Sequence, residues 1–340
     1  MLTLIVPGLI WTRQALADLT SDLPLPAFTT LLGRGRLTLR PPLGSAAILA
    51  EIAGLPAPLP AAALRRLALH EDVEEADWLC LDPVRLNFHE RSLIVDHPQN
   101  LRLTGDEAAA LAVSLAPTFS SLGHLEVLSA EHWNLRLSAA APAFQPLPEA
   151  AGRAATALPL DATHAPWRQA LNEAQMVLHA HPVNQARAAA GLPVVNSLWP
   201  WGGGRLPAPG TPIRTRTGAA AHDAHWSDDP VARGIARLLQ IEAATLPASF
   251  KSSAAKRPLA HFDAMEHPAR SGDAIVWRDE LARLEADWLA PALADLHSGR
   301  LAALRLVAPG ELAAAELLVS RRDLWKFWRK PRALAELVAP

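Results

Sequence analysis

Residues Leu2 to Val6 form a short, continuous apolar run containing β-branched side chains, and Pro7-Gly8 closes it at once. A run of that length and texture suits a strand buried on both faces, and such strands belong to mostly parallel sheets covered by helices. This segment therefore predicts an α/β architecture. It has no basic residue ahead of the apolar run and is interrupted early, so it reads as neither a signal peptide nor a membrane span.

Half of the 340 residues are apolar, enough for one large α/β domain or a core with a smaller module, and too many for disorder. Thirty-two basic against 34 acidic residues give a formal charge of −2, so no global field draws the chain to nucleic acid or an anionic surface. Any polyanion site must be local. Cys80 is the only cysteine, which excludes an intrachain disulfide framework and Cys-rich metal sites and fits a reducing, cytoplasmic compartment. Within its apolar run it reads as a packing residue.

Helical patterns are predicted at about Thr12–Leu19, Pro26–Leu32, Ala46–Ala53, from Thr104 as N-cap to Leu115, and over Val231–Leu239. Predicted strands are Trp78–Leu81, Arg85–Phe88, Ser92–Val95, a hairpin over Leu125–Leu137, Pro193–Leu198, Leu259–Phe262, Leu301–Val307 and Leu312–Val319. Leu206–Asp228 has no periodicity and is expected to be a long surface loop. Trp167, Leu171, Ala174 and Leu178 lie on one helical face, as do Trp277, Leu281, Leu284 and Trp288, with Arg278, Arg283 and Glu285 expected in water. A basic, tryptophan-rich helix is expected at the end of the chain.

The densest polar segment spans residues 172–204. Asn172, Gln175 and His179 share a helical face, and His181-Pro-Val-Asn184 then breaks the helix, leaving Asn184 and Arg187 near the start of the next. An arginine fork beside free backbone N–H groups suits an anion. The same residues would also serve to cap two helices and hold a loop. Gly202, Gly203 and Gly204 would let backbone approach a phosphate, yet match no P-loop or dinucleotide fingerprint, and Trp199 and Trp201 read as core or loop anchors.

His181-Pro-Val-Asn184, Arg187, Gly191, Pro193, Asn196 and Trp199 to Gly204 resemble a stretch of the archaeal-type cofactor-independent phosphoglycerate mutases, in the alkaline phosphatase superfamily. The spelling from Asn172 to Gly204 is similar to a bacterial branch of RpfE-type, phosphoglycerate-mutase-like proteins. Asp82-Pro-Val-Arg-Leu86, His132-Trp-Asn-Leu-Arg136, Asp228-Asp-Pro230 with Arg233-Gly-Ile-Ala236, and Phe327-Trp-Arg-Lys-Pro331 extend that likeness along the chain. The resemblance implies an alkaline-phosphatase-like core of mostly parallel sheet, expected over 1–117 and 205–340, with a smaller α+β cap over 118–204. It also implies two divalent metals and a Ser or Thr nucleophile, with arginines for the substrate phosphate.

The chain departs from that pattern where the chemistry is most demanding. Pro7 stands where the resemblance implies a metal-binding Asp, and Arg270 stands where it implies a His, although a guanidinium cannot ligate a cation. The late Asp-His pair and the final His have no counterpart, because His297 is the last histidine. Ser45, after Gly44, matches the nucleophile loop but is followed by two alanines, as a helix cap would be. The expectation is a degenerate two-metal site with no cofactor, and a non-catalytic or regulatory protein binding a small phosphorylated or anionic ligand. Its pocket would use Asn172, Gln175, His179, His181, Asn184, Arg187, Asn196 and Gly202–Gly204.

Two alternatives stand beside this. An active mutase or phosphatase would need an altered divalent metal set such as His261, Asp263 and Glu266. An interaction module would meet a protein partner through the basic C-terminal helix, whose six Lys/Arg flank Trp325, Phe327 and Trp328; docking of those rings on the body explains the same residues.

Overall fold

The computed structural model describes the chain except residues 56, 71–74, 90–91, 97, 155–157, 160, 209–221, 252–254 and 339–340. Two compact units emerge, Met1–Ala57 with Ile213–Pro340, and Pro58–Pro212.

In the first unit Leu2–Ile5 is fully buried, as its composition requires. It lies between two parallel partners, Pro258–His261 and Ala303–Ala308, with Leu4 opposite both Ala260 and Leu306. Ala224–Ser227 and then Glu242–Ala244 extend the sheet in parallel beyond Pro258–His261. On the other side Ala314–Ser320 runs antiparallel to Ala303–Ala308, and Arg36–Arg40 antiparallel to that, completing seven strands. The last strand places arginines at the sheet edge, where charge discourages edge-to-edge pairing. This is a mixed α/β fold with a mostly parallel central sheet. Leu206–Asp228 is not loop throughout, since Ala224–Ser227 is a buried strand; residues 209–221 lie outside the described residues.

The predicted aromatic stripe is buried completely. Ala274–Arg283, a π-helical segment Leu284–Leu289 and Ala290–Ser298 follow one another without a break, and Trp277, Leu281, Leu284 and Trp288 enter the core. Pro291 has no N–H for the carbonyl of Asp287, and Phe250 N–H donates to that carbonyl instead at 2.8 Å. Glu285, expected in water, is buried. It follows Leu281 by four positions, hence shares its face, and its carboxylate accepts from Ala27 N (2.6 Å) and Phe28 N (2.9 Å). Pro26–Arg34 lacks a capping side chain of its own, so Glu285 satisfies its orphan donors from across the core.

The second unit is built on an antiparallel sheet ordered Gly123–Val127, Trp133–Leu137, Trp78–Val84 and Ser197–Gly204. Gly105–Phe119, with its Thr104/Glu107 capping box, and Ala165–Ala180 share a core with it through Leu111, Leu115, Phe119, Trp133, Trp167 and Leu178. Helix Ala61–Leu69 sends buried Arg65 to Asp82 (2.8 Å), Asn134 Oδ1 and the Trp133 carbonyl (both 2.6 Å). Asp82 also accepts from Trp133 N and Trp201 Nε1. A buried ion pair is tolerable only when its remaining hydrogen-bonding capacity is met, and these partners meet most of it. Residues 58–117, expected with the core, thus belong to this unit because Trp78–Val84 pairs with the hairpin and with Ser197–Gly204.

Among the described residues no C-terminal helix forms. Arg321–Trp325 is a 3-10 turn, 326–333 is irregular and Leu334–Leu337 is a second 3-10 turn. Pro331 blocks continuation, and the backbone N–H of Arg332 bonds Thr29 O instead. Nor do the rings dock: Trp325, Phe327 and Trp328 are all exposed. Among the described residues, no helix is long and apolar enough to cross a membrane.

Candidate functional site

Within residues 172–204 most of the buried polar groups are bonded to the chain itself. His181 ends Ala165–Ala180 and caps Pro182–Ala189, its Nδ1 accepting from Val183 N while Nε2 meets Ser114 Oγ at 3.0 Å. Asn184 is buried, donating to Leu178 O and Val195 O and accepting from Val195 N. Asn196 makes the same kind of reciprocal pair with the backbone of Leu86. Arg187, only 2% exposed, donates from Nε to Pro193 O, from Nη1 to Glu107 at 2.7 Å and from Nη2 to Leu101 O. Burial pushes the Glu107 carboxyl up, but hydrogen bonds from Thr104 and Arg187 hold it below the ordinary range. Gln175 reaches Ser197 Oγ, whereas Asn172 and His179 are exposed on the helix surface.

The three glycines belong to strand Ser197–Gly204 rather than to a turn. Gly202 has φ +62°, and a Cβ there would stand 2.6 Å from Ala61 Cβ; one on Gly203 would meet the Leu79 side chain at 3.0 Å. At Gly202 the strand runs so close to the start of Ala61–Leu69 that a side chain would collide, which accounts for that glycine without a ligand.

In open α/β sheets, chemistry gathers beyond the carboxyl ends of the parallel strands. There the first unit brings together Pro7, Ser45, Ser227, Asp229, His261, Asp263, Glu266 and Arg270. The Pro7-Gly8 corner lies so close to the turn at Met265 that a Cβ on Gly8 would stand 2.3 Å from Met265 O, and Gly8 O accepts from Trp277 Nε1. Ser227 and His261 lie opposite each other on adjacent strands, with Ser227 Oγ 3.3 Å from His261 Nδ1 and accepting from Asp229 N. Both are buried, as is His225 two positions earlier on the same face. Burial, reinforced by His261 and His222, pushes His225 down to about 3, so its imidazole is neutral. Asp263 is pushed up to about 6 by burial, with His261 opposing and Asp229 and Glu266 adding to the rise.

Glu266 is already occupied. Its Oε1 accepts from Ser45 Oγ at 3.0 Å and from Arg270 Nη2 at 3.0 Å, and Arg270 Nη1 continues to Glu311 at 3.2 Å. Ser45 opens helix Ser45–Ala53 behind the N-cap Gly44, so its hydroxyl turns to this carboxylate instead of capping. Residues fit for two divalent metals would present several converging carboxylates and imidazoles with free lone pairs. Here His261 Nδ1 faces Ser227, Glu266 is paired with a guanidinium, and among the described residues no three His, Cys, Asp or Glu side chains are placed to hold a metal. The sequence marks His225 and Ser227 only through their alternation just before Asp228-Asp229-Pro230, a strand end followed by a helix start.

No protein-family model matches the chain, and no curated protein matches it. Among solved structures, the PH0037 protein of Pyrococcus horikoshii matches with a TM-score of 0.57 at 16% identity, covering 98% of this chain and 91% of that one. The cofactor-independent phosphoglycerate mutase of Thermoplasma acidophilum matches with a TM-score of 0.49 at 17% identity, covering 99% and 94%. The first of these shares the α/β fold of this chain over nearly its whole length.

Proposed function

We propose that this chain is a phosphoglycerate-mutase-like protein that acts as a binding or regulatory protein without metal-dependent phosphoryl transfer. The observation that carries the reading is the Ser45–Glu266–Arg270–Glu311 chain of hydrogen bonds and ion pairs. Where the resemblance implies an imidazole on a metal, the permanently charged guanidinium of Arg270 pairs with Glu266, a carboxylate that would otherwise be free to replace a lost ligand. Ser45, the residue matching the nucleophile, donates its hydroxyl proton to that carboxylate, which it shares with the Arg270 guanidinium. The motif likeness over residues 172–204 supports a small phosphorylated anion as the ligand class. Its contacts would have to come from groups other than Arg187, whose guanidinium is already committed.

The reading is tested by loading the purified protein with manganese or zinc, removing free ion, and measuring metal content alongside mutase and phosphatase turnover. Well below one ion per chain and no turnover are expected. About two tightly held ions with turnover would overturn the proposal and restore an altered set built on His261, Asp263 and Glu266. Calorimetric titration with 3-phosphoglycerate tests the ligand class separately.

A further inference from the structure

The C-terminal segment presents a surface that the core does not use. Trp325, Phe327 and Trp328 are 73%, 76% and 68% exposed, although large aromatic side chains are normally withdrawn from water. They lie between two clamps. On the near side Leu324 is buried and its carbonyl accepts from Arg34 Nη1. On the far side Arg332 N bonds Thr29 O, and Leu334 and Leu337 are buried. The loop passes so close to helix Pro26–Arg34 that a Cβ on Gly33 would stand 2.3 Å from Lys330 O. The rings are therefore held outward by a fixed backbone, and Phe327 and Trp328 meet edge to face at 5.5 Å.

Charge decides what could cover them. Arg321, Arg322, Lys326, Arg329, Lys330 and Arg332 flank the rings along the chain, and Asp323 is the only acid from 321 to 332; Arg332 is paired with Glu336. Asp323 is consumed locally by Ser320 N and Oγ and by Lys326 Nζ. Arg321, Arg322, Arg329 and Lys330 are exposed. A second copy meeting this patch face to face would set like charges against each other. An anionic bilayer surface offers phosphates for the cations and an interfacial layer for tryptophan and phenylalanine side by side, and it demands no matching shape.

We propose that the loop formed by residues 325–330 is a peripheral membrane contact, with Trp325, Phe327 and Trp328 entering the headgroup layer of anionic lipid and Arg329 and Lys330 pairing with its phosphates. This proposal is independent of the reading of the Glu266–Arg270 cluster. It is tested by flotation of the full chain with vesicles of phosphatidylcholine alone and of phosphatidylcholine containing phosphatidylserine. The protein is expected to float with the anionic vesicles and to be released by high salt. A double variant Trp325→Ala/Trp328→Ala and a second, Arg329→Glu/Lys330→Glu, should each lose binding, the latter by roughly thirtyfold or more at about a tenfold weakening for every 1.4 kcal/mol and about 1 kcal/mol per basic residue. Both variants should keep the thermal midpoint of the parent, because all four side chains are exposed. Failure to float with anionic vesicles, undiminished binding by either variant, or retention by immobilised polyglutamate without vesicle binding would each overturn the proposal.

Discussion

Arg187 shows how a residue chosen for its chemistry acquires its role from its neighbours. Its side chain is buried among Pro193 O, Leu101 O and the Glu107 carboxylate, so removing it leaves a paired acid and two carbonyls short of donors. Breaking one side of a buried pair costs about 3–5 kcal/mol. Arg187→Ala is therefore expected to lower the thermal midpoint sharply, and a variant melting like the parent would show that the guanidinium is dispensable for folding. Asp263 carries the opposite kind of consequence. Its folded pKa is raised from 3.8 to about 6, so its contribution to stability is full below 3.8 and is lost as pH rises through about 6. Asp263→Asn should match the parent near pH 3.5 and exceed it above pH 7 by up to about 3 kcal/mol. Denaturant titrations at the two pH values check this, and equal stability at both would refute the burial argument.

Among the elements, Ser197–Gly204 and Pro26–Arg34 are both completed by residues distant in sequence. The strand needs Gly202 at φ +62° against Ala61 Cβ, so Gly202→Ala meets strain and collision together. A loss of about 1–3 kcal/mol is expected from the backbone alone, with more if Ala61 cannot yield. Urea unfolding measures it, and an unchanged midpoint would mean that the helix and strand can separate without cost. Helix Pro26–Arg34 depends on Glu285, whose charge suggests solvent but whose place four residues after Leu281 sets it on the buried face beside the aromatic stripe. The missing C-terminal helix has a similar origin: basic and aromatic residues fit a helix well until Pro331 and the Thr29 carbonyl are taken into account.

For the whole molecule, the division between Ala57 and Pro58 has a practical result. The second unit is one continuous piece of chain with its own antiparallel sheet, its own aromatic core and the Arg65–Asp82 network, whereas the first is assembled from two separated pieces. Residues 58–212 expressed alone are expected to fold and to melt in a single cooperative transition. A fragment without a cooperative melt would show that its core is incomplete.

Strands Leu2–Ile5, Ser92–Val95 and Pro258–His261 and the capped helix Gly105–Phe119 were legible in the chain because runs, periodicity, proline and caps act over a few residues. Part of the carboxyl-end cluster was legible too, through Pro7, Ser45, His261, Asp263, Glu266 and Arg270 and their departure from a familiar pattern. Their pairing was not. Ser45 meets Glu266 across 221 positions, Arg187 meets Glu107 across 80 and Ala27 meets Glu285 across 258. Folding selects such partners by closing long loops and by satisfying buried polar groups, and neither cost is written in any short window of sequence.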